Sequence, residues 1–106
     1  MTSNANTNAN ANANANVNDD REQDYQFLSD VADEIERARE KFPSSNLVLA
    51  ACTEELGEVA QAMLKAAAGK GPVEDIWKEA VQLAAMAMRI ATEGDPSFEV
   101  LPYSEP

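Results

Sequence analysis

The sequence predicts an all-α fold, a helical bundle. Three segments carry apolar residues at helical spacing, breaks containing Pro or Gly separate them, and no segment has the alternating pattern of a strand. The helical faces are rich in alanine, which suits close helix–helix packing.

Asn occupies every even position from Asn4 to Asn18, mostly alternating with Ala. Period two is the strand period, but Asn and Ala are poor strand residues and neither face would be apolar. Residues 1–20 are therefore expected to be a disordered, low-complexity tail. From Tyr25 to about Lys41, Phe27, Leu28, Val31, Ala32, Ile35 and Ala38 recur at helical spacing between charged residues. Pro43 ends this helix, and Ser44 or Ser45 can cap the next. The second helix runs from about Asn46 to Ala68. It is apolar nearly all round, which predicts burial on several sides. Gly69-Lys70-Gly71-Pro72 breaks the chain. The third helix runs from about Val73 to Thr92, with Glu74 and Asp75 in its first turn, where acids are favoured. Gly94-Asp95-Pro96 stops it. The helical domain is thus placed at 21–96. Residues 97–106 form a C-terminal arm whose Phe98, Leu101 and Tyr103 could pack on a neighbour.

The composition excludes several kinds of chemistry. The chain has 106 residues, 19 acids, 8 bases and no histidine, for a net charge of −11. The first 18 residues carry no ionisable side chain, so all of these charges lie in the remaining 88. A unit that short buries a modest core, so the bundle is expected to be completed by oligomerisation. One cysteine, Cys52, excludes an intramolecular disulfide framework and a multi-cysteine zinc site, and it reads as a small buried apolar residue. The lack of histidine excludes Ser-His-Asp and Cys-His catalysis and HExxH zinc chemistry. The negative charge argues against nucleic-acid and anionic-membrane partners. No apolar run approaches the ~20 residues of a membrane span. The N-terminal stretch lacks the basic and apolar regions of a secretory signal, so a cytoplasmic location is expected.

Acids on solvated helix faces need no special account, whereas acids inside the most apolar helices do. Glu55 and Glu58 lie at i,i+3 between Leu47-Val48-Leu49 and Val59-Ala60, so both carboxylates share one face. Glu79 and Gln82 repeat that spacing inside the third helix, on a stripe reading Asp75, Glu79, Gln82, Met86, Arg89, Glu93. If the two helices pack antiparallel across the Gly-Pro turn, three carboxylates and one amide meet in a cleft. Bare carboxylates there would repel one another or take up protons. A hard divalent cation removes the conflict, and oxygen-only ligands point to Mg²⁺ or Mn²⁺. Acidic i,i+3 pairs that simply face water are the plain alternative.

At these residues the chain resembles the MazG-like nucleoside triphosphate pyrophosphohydrolases of the all-α NTP pyrophosphatase superfamily. The family pattern is ExxE, a spacer, then ExxD. Here Glu55-Leu56-Gly57-Glu58 stands for the first half and Glu79-Ala80-Val81-Gln82 for the second, with 20 residues between them. The likeness spans about residues 24–95. Ala38-Arg39-Glu40-Lys41-Phe42-Pro43 and the run from Val81 to Arg89 look like the small single-domain members of phages and bacteria. Gln82 departs from the pattern: an amide offers an oxygen but no charge.

The resemblance implies hydrolysis of a (deoxy)nucleoside triphosphate, such as the purine dGTP, to the monophosphate and pyrophosphate. Its use would be nucleotide clearance or shaping of a phage's dNTP pool. It implies that Glu55, Glu58 and Glu79 are the catalytic, metal-holding acids with Gln82 as a weaker partner, and that the protein is a homodimer or homotetramer. Glu55 is a ligand or the base that orients water. Lys65 and Arg89 are candidates for phosphate oxygens or ordinary helix charges, and Lys41 and Asn46 for sugar or base. Trp77 either stacks on a base or packs in the core. Asp75 is a fourth acid or a first-turn residue, and Glu54 faces solvent or supports the site. The competing class is a non-catalytic acidic helical module that oligomerises or binds a basic protein. Exposed Glu55, Glu58 and Glu79 would favour the module; convergent, buried ones favour the enzyme.

Overall fold

The structure is a computed structural model that describes residues 9–105, with side chains from Arg21 to Glu105. Among these residues it is all-helical: α1 spans Ala9–Lys41, α2 Val48–Ala67 and α3 Glu74–Glu93, followed by a 3₁₀ turn at Pro96–Phe98. The three predicted helices are therefore present. Residues 1–8 of the expected tail lie outside the described residues, and from Ala9 the backbone already belongs to α1. Alanine is the strongest helix former, and neither Gly nor Pro occurs between Ala9 and Phe42 to interrupt the helix.

The chain divides into two units, one ending at Asp30 and one spanning Val31–Pro106. In the first, Tyr25 and Leu28 are exposed and Phe27 is half-buried, so the expected apolar face of this helix is open at Leu28. The second holds the end of α1 with all of α2 and α3. Its core consists of Val31, Ile35 and Ala38 from α1, Val48 and Ala62 from α2, and Val81 and Ala85 from α3. Each set recurs at helical intervals, as a helix with one buried stripe requires.

α2 departs from expectation. Its all-round apolar character predicts burial on several sides, yet only Val48 and Ala62 are buried, while Leu49, Leu56 and Met63 are 44%, 56% and 55% exposed. A single chain with two neighbouring helices covers only part of α2, and Cys52, expected to be buried, is half-buried.

The two ends of α2 are closed by different means. At its C-terminus Gly69 adopts φ 71°, its N–H donates to Ala66 O (3.0 Å), and Lys70 N–H donates to Lys65 O (2.8 Å). This double bond pattern is the Schellman closure, which satisfies the last carbonyls and turns the chain back towards α3. The N-terminus corrects the predicted serine cap. Leu47, in left-handed geometry, is the N-cap and makes no side-chain cap bond. Ser44 Oγ instead accepts from Asn46 N–H within the preceding turn (3.2 Å). The cap comes from Asp95, after α3, whose Oδ2 accepts from Leu49 N–H (2.9 Å). The same carboxylate accepts from Ser97 N–H and its hydroxyl. The Leu49 bond, then those from Ser97, hold the Asp95 carboxyl below the usual range.

Asp95 and Val100 pair as an antiparallel bridge, and Tyr103 N–H donates to Thr92 O (3.3 Å). The backbone of the C-terminal arm thus returns to the end of α3, while Phe98, Leu101 and Tyr103 point outward, exposed. No helix among the described residues is long and apolar enough to cross a membrane.

Candidate functional site

The short turn between α2 and α3 makes the helices neighbours over much of their length, and it sets Glu55 and Glu58 of α2 against Glu79 of α3. One carboxylate oxygen from each lies within 4.8 Å of the others. The convergence expected from the two ExxE/ExxQ halves is present. The expected burial is uneven: Glu55 and Glu79 are half-buried, and Glu58 is exposed.

Glu55 Oε2 and Glu79 Oε1 are buried and have no hydrogen-bond partner among the described residues. Burial pushes the Glu55 carboxyl up, and the charges of Glu58 and Glu79 add to it. Burial also raises the Glu79 carboxyl, with the neighbouring Glu58 carboxylate and its charge contributing; Lys78 opposes. Carboxylate oxygens left buried without donors are costly unless a proton or a cation joins them. The set offers hard oxygen donors alone, the chemistry that suits Mg²⁺ or Mn²⁺.

Two cavities border Glu55, and neither is lined by Glu58 or Glu79. One, of about 270 Å³, is lined by Glu34, Arg37 and Lys41 of α1 with Glu55, Gln82 and Met86. Gln82 therefore sits beside Glu55, one turn along α3 from Glu79. Arg37 reaches back to Glu34 through Nε (3.0 Å) and Nη2 (2.5 Å). The other cavity, of about 370 Å³, lies under the α1–α2 turn. Phe42, Leu47, Val48, Ala51 and Met86 form apolar walls, with Ser44, Asn46, Glu54, Glu55 and Arg89 as the polar groups. That volume lies in the range of small-molecule pockets.

Arg89 is buried, with 2% of its surface exposed. Its Nε donates to both Glu93 oxygens (3.1 Å each), and its Nη2 donates to Glu93 Oε1 (2.9 Å) and to Ser44 O (3.4 Å). Arg39 Nε bonds the same carboxylate (2.7 Å) and so ties α1 to α3. Burial works against charge on Glu93, but the bonds from Arg89 and Arg39 outweigh it and hold its carboxyl low.

The other candidates divide. Lys41 and Asn46 line the two cavities, one each. Lys65 lies exposed in the last turn of α2 and lines neither cavity. Trp77, 36% exposed on α3, lines neither cavity either. Asp75 is exposed and acts on the cluster only through its charge on Glu79. Sequence reasoning missed Glu34, Arg37 and Phe42. Glu34, Arg37 and Lys41 share a helical stripe beside the buried Ile35–Ala38 face, a signal present in the pattern but resembling any solvated charge run. Met86 was visible on the acidic stripe but gave no chemical reason to be singled out. Comparison with protein-family models, curated proteins and solved structures finds no match to this chain.

Proposed function

We propose that the protein is a divalent-metal-dependent pyrophosphohydrolase that cleaves a (deoxy)nucleoside triphosphate to the monophosphate and pyrophosphate. The observation that carries this reading is the convergence of Glu55, Glu58 and Glu79, with Glu55 Oε2 and Glu79 Oε1 buried and without a hydrogen-bond partner among the described residues. Solubility gives no reason to bury an unpaired acid, whereas a cation-holding site does.

Glu55, Glu58 and Glu79 would hold Mg²⁺ or Mn²⁺, with the Gln82 amide oxygen as a neutral fourth donor. Such an ion, when bound, supplies charge neutralisation at the phosphate oxygens and makes water more acidic. Arg37 and Lys41 face the same polar cavity and offer cations to the phosphate chain. The half-buried Glu55 borders both cavities and, in place of a ligand role, would serve as the base that takes a proton from the attacking water. The apolar cavity beyond it has room for a planar base, with Asn46 at its edge.

The reading includes a homo-oligomer. Leu49, Leu56 and Met63 recur every seven residues on α2 and are 44%, 56% and 55% exposed, a seam that a second copy would cover.

The test is a panel of dNTPs and NTPs with Mg²⁺ or Mn²⁺, scored for monophosphate and pyrophosphate. Release from at least one substrate is expected, and release from none sinks the reading in favour of a non-catalytic module. Glu58→Gln removes a charge with little change in volume. It should abolish turnover while leaving the far-ultraviolet circular dichroism unchanged; full activity would overturn the ligand assignment.

A further inference from the structure

The α1–α2 turn holds a backbone conformation that the helix it starts does not require. Leu47 sits at φ 63°, ψ 27°, in left-handed geometry. A residue with an ordinary Cβ is disfavoured there, because that carbon crowds the following carbonyl oxygen. An N-cap typically has extended backbone, so the start of α2 gives no reason for the strain. Asn46, one position earlier, is of a type that tolerates the left-handed region, yet the turn places Leu in it instead. Among the described residues the other non-glycine at positive φ is Glu99, which closes the 3₁₀ turn by donating its N–H to Pro96 O (3.0 Å). Hydrogen bonds on either side fix Leu47 in place. Asn46 N–H donates to Ser44 Oγ (3.2 Å), Ala51 N–H donates to Leu47 O (3.0 Å), and Leu49 N–H donates to the buried Asp95 carboxylate (2.9 Å). Strain of this kind persists only where the surrounding structure imposes it, and it gathers at ligand-binding sites.

Folding gains little from the side chain held this way. Leu47 is 62% exposed, and Phe42, across the same turn, is 59% exposed; both line the larger cavity. That cavity extends to Glu55 of the acidic cluster, so a ligand whose phosphate end is held there can reach under the turn. We propose that Leu47 is a ligand-binding residue, its strained backbone presenting an apolar side chain to the ring of the nucleotide's base. The base would cover apolar surface that the fold leaves open. The inference rests on the nucleotide reading above and adds a residue that the acidic motif does not contain. It makes no choice among the bases, because an apolar side chain meets the ring face that all of them share. Stability is given up here in favour of binding, so a residue better suited to the backbone should strengthen the fold and weaken the complex.

Leu47→Asn provides the test, because asparagine has a side chain of similar shape and tolerates the left-handed region. In urea, its unfolding midpoint should lie above that of the parent. Binding is measured by calorimetry on the full protein, with Mg²⁺ and each of the four deoxynucleoside monophosphates. For those that the parent binds, the affinity of Leu47→Asn should fall by about tenfold or more, the scale of apolar contacts in a pocket. Leu47→Met keeps an apolar side chain on the same backbone and should retain the parent's affinity and midpoint.

A lower midpoint for Leu47→Asn would mean that the side chain serves the fold, and an unchanged affinity would mean that it touches no ligand. Either result overturns the inference, as does a parent protein that binds none of the monophosphates. A change in the sedimentation of Leu47→Asn overturns it as well, by assigning this surface to a second copy of the chain. Hydrolysis is scored separately, by pyrophosphate release from triphosphates. Release from the parent together with unchanged affinity in Leu47→Asn keeps the hydrolase reading and removes this inference. Weakened monophosphate binding in Leu47→Asn, with no release from the parent, does the reverse.

Discussion

Glu55 and Glu79 carry an electrostatic cost that shows in how the protein should respond to pH. Both carboxyls are raised, so the folded state holds protons that the unfolded chain releases. The stability they contribute is present below the ordinary carboxylate range and is lost as pH rises through their raised values. Glu93 and Asp95 are lowered, so their contribution is present above that range and is lost as pH falls through their depressed values. With metal chelated, the melting temperature should therefore peak at mildly acidic pH and fall towards neutral. Mg²⁺ should raise it at neutral pH and have little effect in acid, where protons compete for the same oxygens. Thermal unfolding across pH, with chelator and with Mg²⁺, measures this; a chelated protein most stable at neutral pH, or no Mg²⁺ response, contradicts it.

At the scale of elements, the Gly94-Asp95 corner joins the end of α3 to the start of α2. Gly94 sits at φ 70°, ψ −161°, a region open to glycine almost alone. A Cβ there would run into Val100 O and come within 2.5 Å of Leu101 O. These are backbone atoms of the returning arm, which cannot move without breaking the Asp95–Val100 pairing. Gly94→Ala should cost about 1–3 kcal/mol from the backbone conformation alone, with the contact adding to it. The loss should appear as a lower midpoint in urea. It would also displace Asp95 and leave Leu49 N–H without its cap, so the N-terminal turn of α2 should exchange its amide protons faster. A Gly94→Ala protein as stable as the parent would show that the arm is not held as described.

For the whole molecule, core size and surface charge pull in opposite directions. The second unit buries seven aliphatic side chains, three of them alanine. Each larger one contributes about 1.5–3 kcal/mol, against an ordering cost of about 1–2 kcal/mol for every residue held in the fold. Covering Leu49, Leu56 and Met63 with a second copy would enlarge that core, and the net charge of −11 would oppose association unless the acids lie outside the seam. Leu56→Glu should convert an oligomer to monomer in sedimentation and remove the concentration dependence of the melting temperature. A wild-type protein that sediments as a monomer at micromolar concentration refutes the oligomer.

The helices, their breaks and the acidic pattern were legible because they depend on neighbours in sequence. Periodicity marks a face, Gly69 and Gly94 mark turns, and i,i+3 spacing puts Glu55 with Glu58 and Glu79 with Gln82. The antiparallel pairing that joins the two halves followed from a short turn, again a local signal. What depended on groups distant in the chain was not legible. The α2 cap belongs to Asp95, 46 residues from the amide it accepts, so local capping rules pointed to the wrong serine. Arg89 reads as a surface or phosphate cation in sequence, yet packing against Ser44 and Glu93 buries it in a cavity wall. Glu34 and Arg37 gain meaning only when α1 lies beside Glu55. The sequence by itself determined which residues could share a helix face. Tertiary structure decided which of those faces met, because burial and hydrogen bonding depend on distance in space rather than along the chain.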